Sequence, residues 1–395
     1  MAEIVYTSTF GRGSSKSKRV NYFMTKDFAI RNKTARSIRI ACGLFFILFC
    51  FFYLFFQAHL LEMLQKVLSD GQTSYSARWG TWIITLVLCL VQFGISRAVR
   101  LPERCHALTY LPSFLLLACI TDFDKTIYEH VTIGHWSWIV PLSVVMLLVL
   151  SWMCRRLGWL AEDSREQTWP GRLLPNGIIL FLLCASCVSL GNTDEVFHYE
   201  TTVDAALLND DYGKALDVGA SSPRTSRELT VMRTYALSRA GSLPDALFNY
   251  PQCDASRGLL FEAGMPPTTW FKPEAVYSYL GDVPRKGESV TGYLRRLCHD
   301  ETGNEPALDY YLCALLLRKE LDIFAMELNY FCYVEPSLPR VYQEALFLYY
   351  TQHPDQEPPF DMSEFGREYL HYQLSPSGYQ HTYWYYYDHT TICYE

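Results

Sequence analysis

The chain has 395 residues, 50% of them hydrophobic and 19% charged, with a formal net charge of −7. That apolar content excludes a disordered chain, and the length leaves room for two or three domains. The charge is unevenly split: residues 1–193 hold 19 Lys and Arg against 11 Asp and Glu, whereas residues 194–395 hold 15 against 30. An acidic second half repels phosphate backbones, which excludes nucleic acid as its partner. A basic, apolar half before an acidic one points to a membrane anchor joined to a soluble domain.

In chain order, residues 1–38 form a hydrophilic tail. Its stretch GRGSSKSKRV at 11–20 reads as a disordered basic segment that sets orientation and touches anionic lipid. The tail is too long for the leading region of a signal peptide, and no small-residue cleavage pattern follows the first apolar run, so that run reads as a retained anchor. A transmembrane helical domain is expected over 39–192. Its five runs free of Asp, Glu, Lys and Arg lie near 40–61, 79–96, 105–121, 132–154 and 173–192. A bilayer core of about 30 Å takes about 20 helical residues. The third run is the shortest and carries Pro112; the fifth carries Pro175, Asn176 and Gly177 near its start.

Basic connectors stay cytoplasmic. With five spans, the segments 1–39, 97–104 and 155–172 hold 16 Lys and Arg, against three in 62–78 and 122–129. The tail is therefore expected in the cytoplasm and residues 194–395 on the far side, the periplasm of a bacterium. The charge-free spans argue against a charge-coupled transporter, which needs ionisable groups inside the bilayer.

Between the third and fourth runs, TDFDKTIYEHVTIGHW gathers Asp122, Asp124, Glu129, His130 and His135. These are metal-type ligands suited to a hydrolytic zinc centre, but their spacing matches no metal motif, and an aqueous loop beside the interfacial Trp136 and Trp138 explains them better. CASC at 184–187 lies inside an apolar helical run, where cysteines serve as small packing residues. Neither stretch forms a catalytic constellation, and no cofactor is implied.

Beyond Asp194 the pattern becomes amphipathic helices with short breaks. NDDYGKALDV (209–218) and AGSLPDALFN (240–249) align at an offset of 31 residues, each with a turn followed by Ala-Leu. Gly241 can take the left-handed conformation that ends a helix, and Pro244 suits the first turn of the next. PSLPRVYQEALFLYY (336–350) repeats the acid-Ala-Leu-Phe pattern. Residues 305–331 read as a further helical pair turning near Lys319–Leu321, with Phe324 at the small-residue position. The expectation is a tetratricopeptide-like helical-repeat domain over 193–352, whose usual period is 34.

Residues 353–395 open on a Pro-rich break and close on YQHTYWYYYDHTTICYE. The Tyr and Trp cluster there is expected to pack across the last helices or sit at the lipid interface; its rings also offer a stacking surface for carbohydrate. Five cysteines, Cys253, Cys298, Cys313, Cys332 and Cys393, lie beyond the membrane half, and their spacing implies no disulfide framework.

The spans, then YALSRAGSLPDALFNY, PRVYQEALFLY and TYWYYY in that order, resemble an uncharacterised domain-of-unknown-function family of Bacteroides-type membrane proteins. The resemblance covers roughly residues 40–390. It implies a multi-spanning inner-membrane anchor with a tetratricopeptide-like second half, and no catalytic residue. The expected fold is all-α, and the expected partners are the lipid bilayer and a protein bound through the repeats. The alternative is a membrane-embedded enzyme acting on envelope lipid or glycan near residues 122–135.

Overall fold

A computed structural model describes residues 13–99, 101–128, 134–161, 169–262, 269–332 and 334–391. Among them the fold is entirely helical and divides into two compact units. The membrane unit comprises residues 1–123 and 132–193; the C-terminal unit comprises 124–131 and 194–395. Residues 124–128, part of a connector between apolar runs, pack with the C-terminal unit.

The membrane unit contains α1 (Gly13–Phe56), α2 (Ala58–Leu68), α3 (Ala77–Val99), α4 (Leu111–Cys119), α5 (Trp136–Ala161) and α6 (Trp169–Leu190). The expected disorder over 11–20 gives way to helix from Gly13. Four helical stretches are long and apolar enough to cross a bilayer: Ala35–Phe56, Ala77–Val99, Trp136–Arg156 and Leu173–Leu190.

These helices are built outside in. On α1, Ile38, Cys42, Phe46, Cys50 and Leu54 recur every fourth residue and are buried, while Leu44, Leu48, Phe52 and Phe55 stay exposed. On α3 the buried face holds Thr81, Thr85 and Leu88, and Trp79, Trp82, Ile83, Leu86 and Leu90 face outward. Large apolar residues can face outward here because hydrocarbon solvates Leu as well as a protein core does, while the inward faces mix Cys and Thr with Ile, Phe and Leu.

The third expected span is not a single helix. Residues Glu103–Tyr110 form a 3₁₀ run and α4 adds only nine residues. Pro112 suits the place where α4 begins, since a proline fits the first turn of an α-helix. At 1.5 Å per residue α4 rises about 14 Å. The 3₁₀ run before it is kinked at Cys105, whose backbone is not helical.

Side-chain contacts fix where this broken segment lies. Phe46 of α1 packs on Tyr110 (ring centroids 4.8 Å apart) and Phe114 (5.2 Å), Phe49 packs on Phe114 (5.4 Å), and the Tyr53 hydroxyl lies 3.0 Å from Thr121 Oγ1. Residues 110–121 thus run alongside α1 in the same direction. Ser113 donates to the Leu88 carbonyl (2.9 Å) and Gln92 to Thr109 (3.1 Å), which sets α3 antiparallel to them. The Asn192 N–H donates to the Thr121 carbonyl (3.0 Å) at the end of α6.

Irregular backbone survives at this depth only when protein satisfies its polar groups. Asn176 does so: its Oδ1 accepts from the Ala107 N–H and its Nδ2 donates to the Glu103 carbonyl, both at 2.8 Å. Asn176 is completely buried.

The C-terminal unit holds α7 (Glu195–Leu207), α8 (Tyr212–Asp217), α9 (Arg227–Arg239), α10 (Leu243–Ala246), α11 (Pro273–Leu280), α12 (Val290–His299), α13 (Pro306–Leu317), α14 (Leu321–Phe331), α15 (Arg340–Gln352), α16 (Ser363–Leu374) and α17 (Tyr383–His389). α7 is capped by Asp194, whose side chain accepts from the Val196 N–H (3.0 Å). Gly241 ends α9 at φ +68, and the Ser242 N–H closes back on the Leu237 carbonyl at 2.9 Å. Pro244 lies in the first turn of α10, as expected.

The repeat is less regular than its sequence suggests. α8 and α10 have six and four residues, so two of the aligned breaks begin short turns and not full partner helices. In the third, Ala345 sits within the 13-residue α15. The pair over 305–331 forms as α13 and α14. Their turn has no glycine; Lys319 takes the left-handed conformation at φ +57, and the Glu320 N–H closes on the Leu315 carbonyl at 3.0 Å. Lys319 Nζ is held by the Tyr387 carbonyl at 2.6 Å.

Candidate functional site

The five candidate ligands of the 122–135 stretch are divided by the fold. Asp122 and His135, both in the membrane unit, come together: Asp122 Oδ2 meets His135 Nε2 at 2.7 Å and accepts from Trp136 Nε1 at 2.8 Å. Trp136 is buried at the start of α5, so Asp122 anchors the head of that helix. Asp124 belongs to the C-terminal unit. Glu129 and His130 lie outside the described residues. Among the described residues no three His, Cys, Asp or Glu side chains are grouped to hold a metal.

The middle of that stretch has a different job. Lys125 Nζ donates to Glu200 of α7 (2.8 Å) and Glu228 of α9 (3.2 Å), and Ser226 also donates to Glu200. Glu200 is 2% exposed, and burial raises its pKa despite the opposing pull of Lys125 and Ser226. Burial pulls the Lys125 pKa down, but the bonds and charges of the two glutamates outweigh it and leave a net rise. Burial also pushes the Tyr128 hydroxyl well up, with Asp204 and Glu200 adding to it. Two carboxylates from separate helices thus clamp a connector lysine. Nothing in the spacing of Lys125, Glu200 and Glu228 announces this; a glutamate amid EVFHYETTVD reads as an ordinary surface position.

Other buried polar groups hold the unit together. Asp204 accepts from the N–H groups of Trp270 (3.2 Å) and Phe271 (2.6 Å). Glu327 is 2% exposed and takes His299 Nε2 (2.8 Å) and the Tyr311 hydroxyl (3.2 Å). Arg233 on α9 is equally buried, but its Nε and Nη1 have no partner. A buried polar group left unpaired costs about 1–3 kcal/mol.

The aromatic terminus is core. Tyr383, Trp384 and Tyr386 are buried. Tyr383 and Tyr386 donate to the last carbonyls of α13, Leu316 (3.1 Å) and Leu317 (2.8 Å). Trp384 Nε1 donates to the Glu344 carbonyl (3.1 Å), and the Glu344 carboxylate accepts from the Tyr383 N–H (2.9 Å). These three rings present no stacking face to a carbohydrate. Cys184 and Cys187 are buried on α6 in the membrane core. Cys253, Cys298, Cys313 and Cys332 are unbridged thiols; Cys393 lies outside the described residues.

The C-terminal unit leaves two apolar stripes uncovered. Ile323, Met326 and Tyr330 follow one face of α14, with Met326 58% and Tyr330 71% exposed; Leu370 and Leu374 follow one face of α16. Residues 126–285 and 285–390 match DUF6057, a family of unknown function. No curated protein and no solved structure matches the chain.

Proposed function

We propose, for a chain that belongs to the DUF6057 family of unknown function, that it is a membrane-anchored scaffold presenting its C-terminal helices to a protein partner outside the cytoplasm. Its membrane helices make it a multi-pass membrane protein in contact with lipid. The observation that carries the orientation is the sorting of charge along the membrane unit. At one end lie Val99, Glu103, Ala107 and Asn176, with Arg155 donating to the Val99 carbonyl. At the other lie Tyr53, Thr121, Asp122, Trp136 and Asn192. Arg36, Arg39, Arg97, Arg104, Arg155 and Arg156 belong to segments at the first end, and Asp122 and Arg78 to the second.

The broken segment 103–119 travels from the first end to the second, so it counts as a fifth crossing. Five crossings with the basic end in the cytoplasm support an extracytoplasmic C-terminal unit, in the periplasm if the protein sits in a bacterial inner membrane. The exposed stripes on α14 and α16 support the interaction reading, since contiguous apolar surface on a soluble unit marks contact sites. A tetratricopeptide-like reading of this unit rests on the α13–α14 pair and the Gly241–Pro244 turn.

Cysteine labelling tests the orientation. With a membrane-impermeant maleimide, Lys286→Cys should label above the wild-type background in intact spheroplasts, and Arg156→Cys only after permeabilisation. The reverse pattern would overturn the reading. For the interaction, a photocrosslinker placed at Met326 should trap a reproducible protein that Tyr330→Glu loses. The alternative, an envelope enzyme using Asp122, Asp124, Glu129, His130 and His135, rests on the Asp122–His135 contact. It requires bound metal that His135→Ala removes, measured by elemental analysis of the purified protein.

A further inference from the structure

One end of the membrane unit concentrates positive charge. Residues 97–104 hold three arginines and one glutamate, and residues 155 and 156 are both arginine. The fold draws these two stretches together. Arg155 of α5 donates to the Val99 carbonyl at the close of α3. The Cys154 thiol, one residue earlier, lies within hydrogen-bond reach of the thiol of Cys105, which follows Arg104. Arg97, Arg104, Arg155 and Arg156 therefore gather where α3, the 3₁₀ run and α5 adjoin. Arg97, Arg155 and Arg156 are exposed, and Arg104 is half-buried.

Two of these arginines stand over lipid-facing rings. Arg97 covers the Phe93 ring at 5.6 Å, and Arg156 covers the Trp152 ring at 5.4 Å. Phe93 is 58% and Trp152 60% exposed. Each ring lies one turn inside its helix end, on a face that hydrocarbon covers. A long basic side chain there keeps its stem on apolar surface and its charge at the level of the headgroups.

We propose that this patch binds one anionic phospholipid, its phosphate accepting from arginines of this group and its acyl chains lying along the outward faces that carry Phe93 and Trp152. A guanidinium stays protonated, and its planar fork matches a phosphate with paired hydrogen bonds. The excess of arginine over glutamate favours an anionic headgroup over a zwitterionic one, and basic sites between membrane helices take such headgroups. Three of the four arginines are already exposed, so the lipid meets them without a rearrangement of the fold. The assignment holds whichever compartment this end faces, and it stands apart from the interaction reading of the C-terminal unit.

Native mass spectrometry tests it, with the full chain in neutral detergent titrated with dioleoyl phosphatidylglycerol at constant ionic strength. One lipid should be retained saturably, about fivefold or more tightly than dioleoyl phosphatidylethanolamine. Near a membrane surface each arginine contributes about 1 kcal/mol, a factor of about five. Arg97→Gln and Arg104→Gln should each weaken phosphatidylglycerol binding by about that factor, and Arg155→Gln with Arg156→Gln by about thirtyfold. Arg78→Gln, at the other end of the unit, should leave the affinity within about twofold. Equal retention of the two lipids, or wild-type affinity in the folded double variant, refutes the site. So does a loss in Arg78→Gln as large as that in Arg97→Gln, which marks attraction by net charge alone. If glycerol phosphate, the free headgroup, binds as tightly as the lipid, the ligand is a soluble phosphate and the lipid assignment fails. Arg155 is bonded into the fold, so should the double variant not fold, Arg97→Gln and Arg156→Gln decide. Unchanged binding in either refutes the site, and weakened binding in both supports it.

Discussion

The two units use the same residue types in opposite directions. In the membrane unit Phe52, Leu86 and Leu90 face outward while Thr81, Ser113 and Asn176 are buried. In the C-terminal unit Leu294, Leu312, Phe324 and Trp384 are buried, and exposed positions are largely polar. Water rewards the burial of Leu, whereas lipid is indifferent to it. Cohesion therefore comes from apolar area in one unit, and from close packing and hydrogen bonds such as those of Asn176 in the other.

Substitutions can break this contrast. Trp384→Ala should have the largest effect, about 3–5 kcal/mol for a buried aromatic in a water-driven core, read from denaturant unfolding of the C-terminal unit. Asn176→Leu is more hydrophobic yet should destabilise the membrane unit by about 2–4 kcal/mol, because two buried backbone groups lose their partners. Unfolding in mixed micelles measures it, and a stabilised variant would refute the role given to Asn176. Lys125→Met leaves Glu200 buried beside Glu228. Breaking a buried pair costs about 3–5 kcal/mol, but Lys125 is 36% exposed, so about 1–2 kcal/mol is expected, together with faster proteolysis of the connector.

Phe52→Ala should change stability by less than about 0.5 kcal/mol in bilayers, since the ring exchanges protein surroundings for none. A loss as large as that of a core phenylalanine would mean that this face is a protein interface. The smallest effect concerns pH. Arg296, by hydrogen bond and then by charge, holds Asp282 and Glu288 below the usual carboxylate range. Their folded pKa values are depressed, so the contribution is present above the ordinary range and fades as pH falls through the folded values. Arg296→Gln should flatten the acid limb of the melting-temperature profile.

Much of the helical punctuation was readable in the chain. Gly241 and Pro244 placed the end of α9 and the start of α10, and the turn near Lys319 was located without a glycine. The candidate ligand set was not decided that way. His135 meets Asp122 only because the start of α5 returns beside Thr121, while Lys125 is drawn to glutamates 75 and 103 positions away. Residues so distant carry no local signal of their pairing. The repeat was legible as a sequence match, but α8 and α10 stop short, a matter of what packs against them.

Composition, charge and hydropathy by themselves determined that this is an all-helical membrane chain with a basic apolar half and an acidic polar half. Those properties act through solvent, which each segment meets independently of the others. Tertiary structure alone decided that the Pro112 segment is broken and held by Asn176, that Tyr383, Trp384 and Tyr386 of the terminus are core, and that Arg233 Nε and Nη1 and Gln252 Oε1 are left unpaired. Each of these depends on which distant backbone and side-chain groups satisfy, or fail to satisfy, one another's hydrogen bonds.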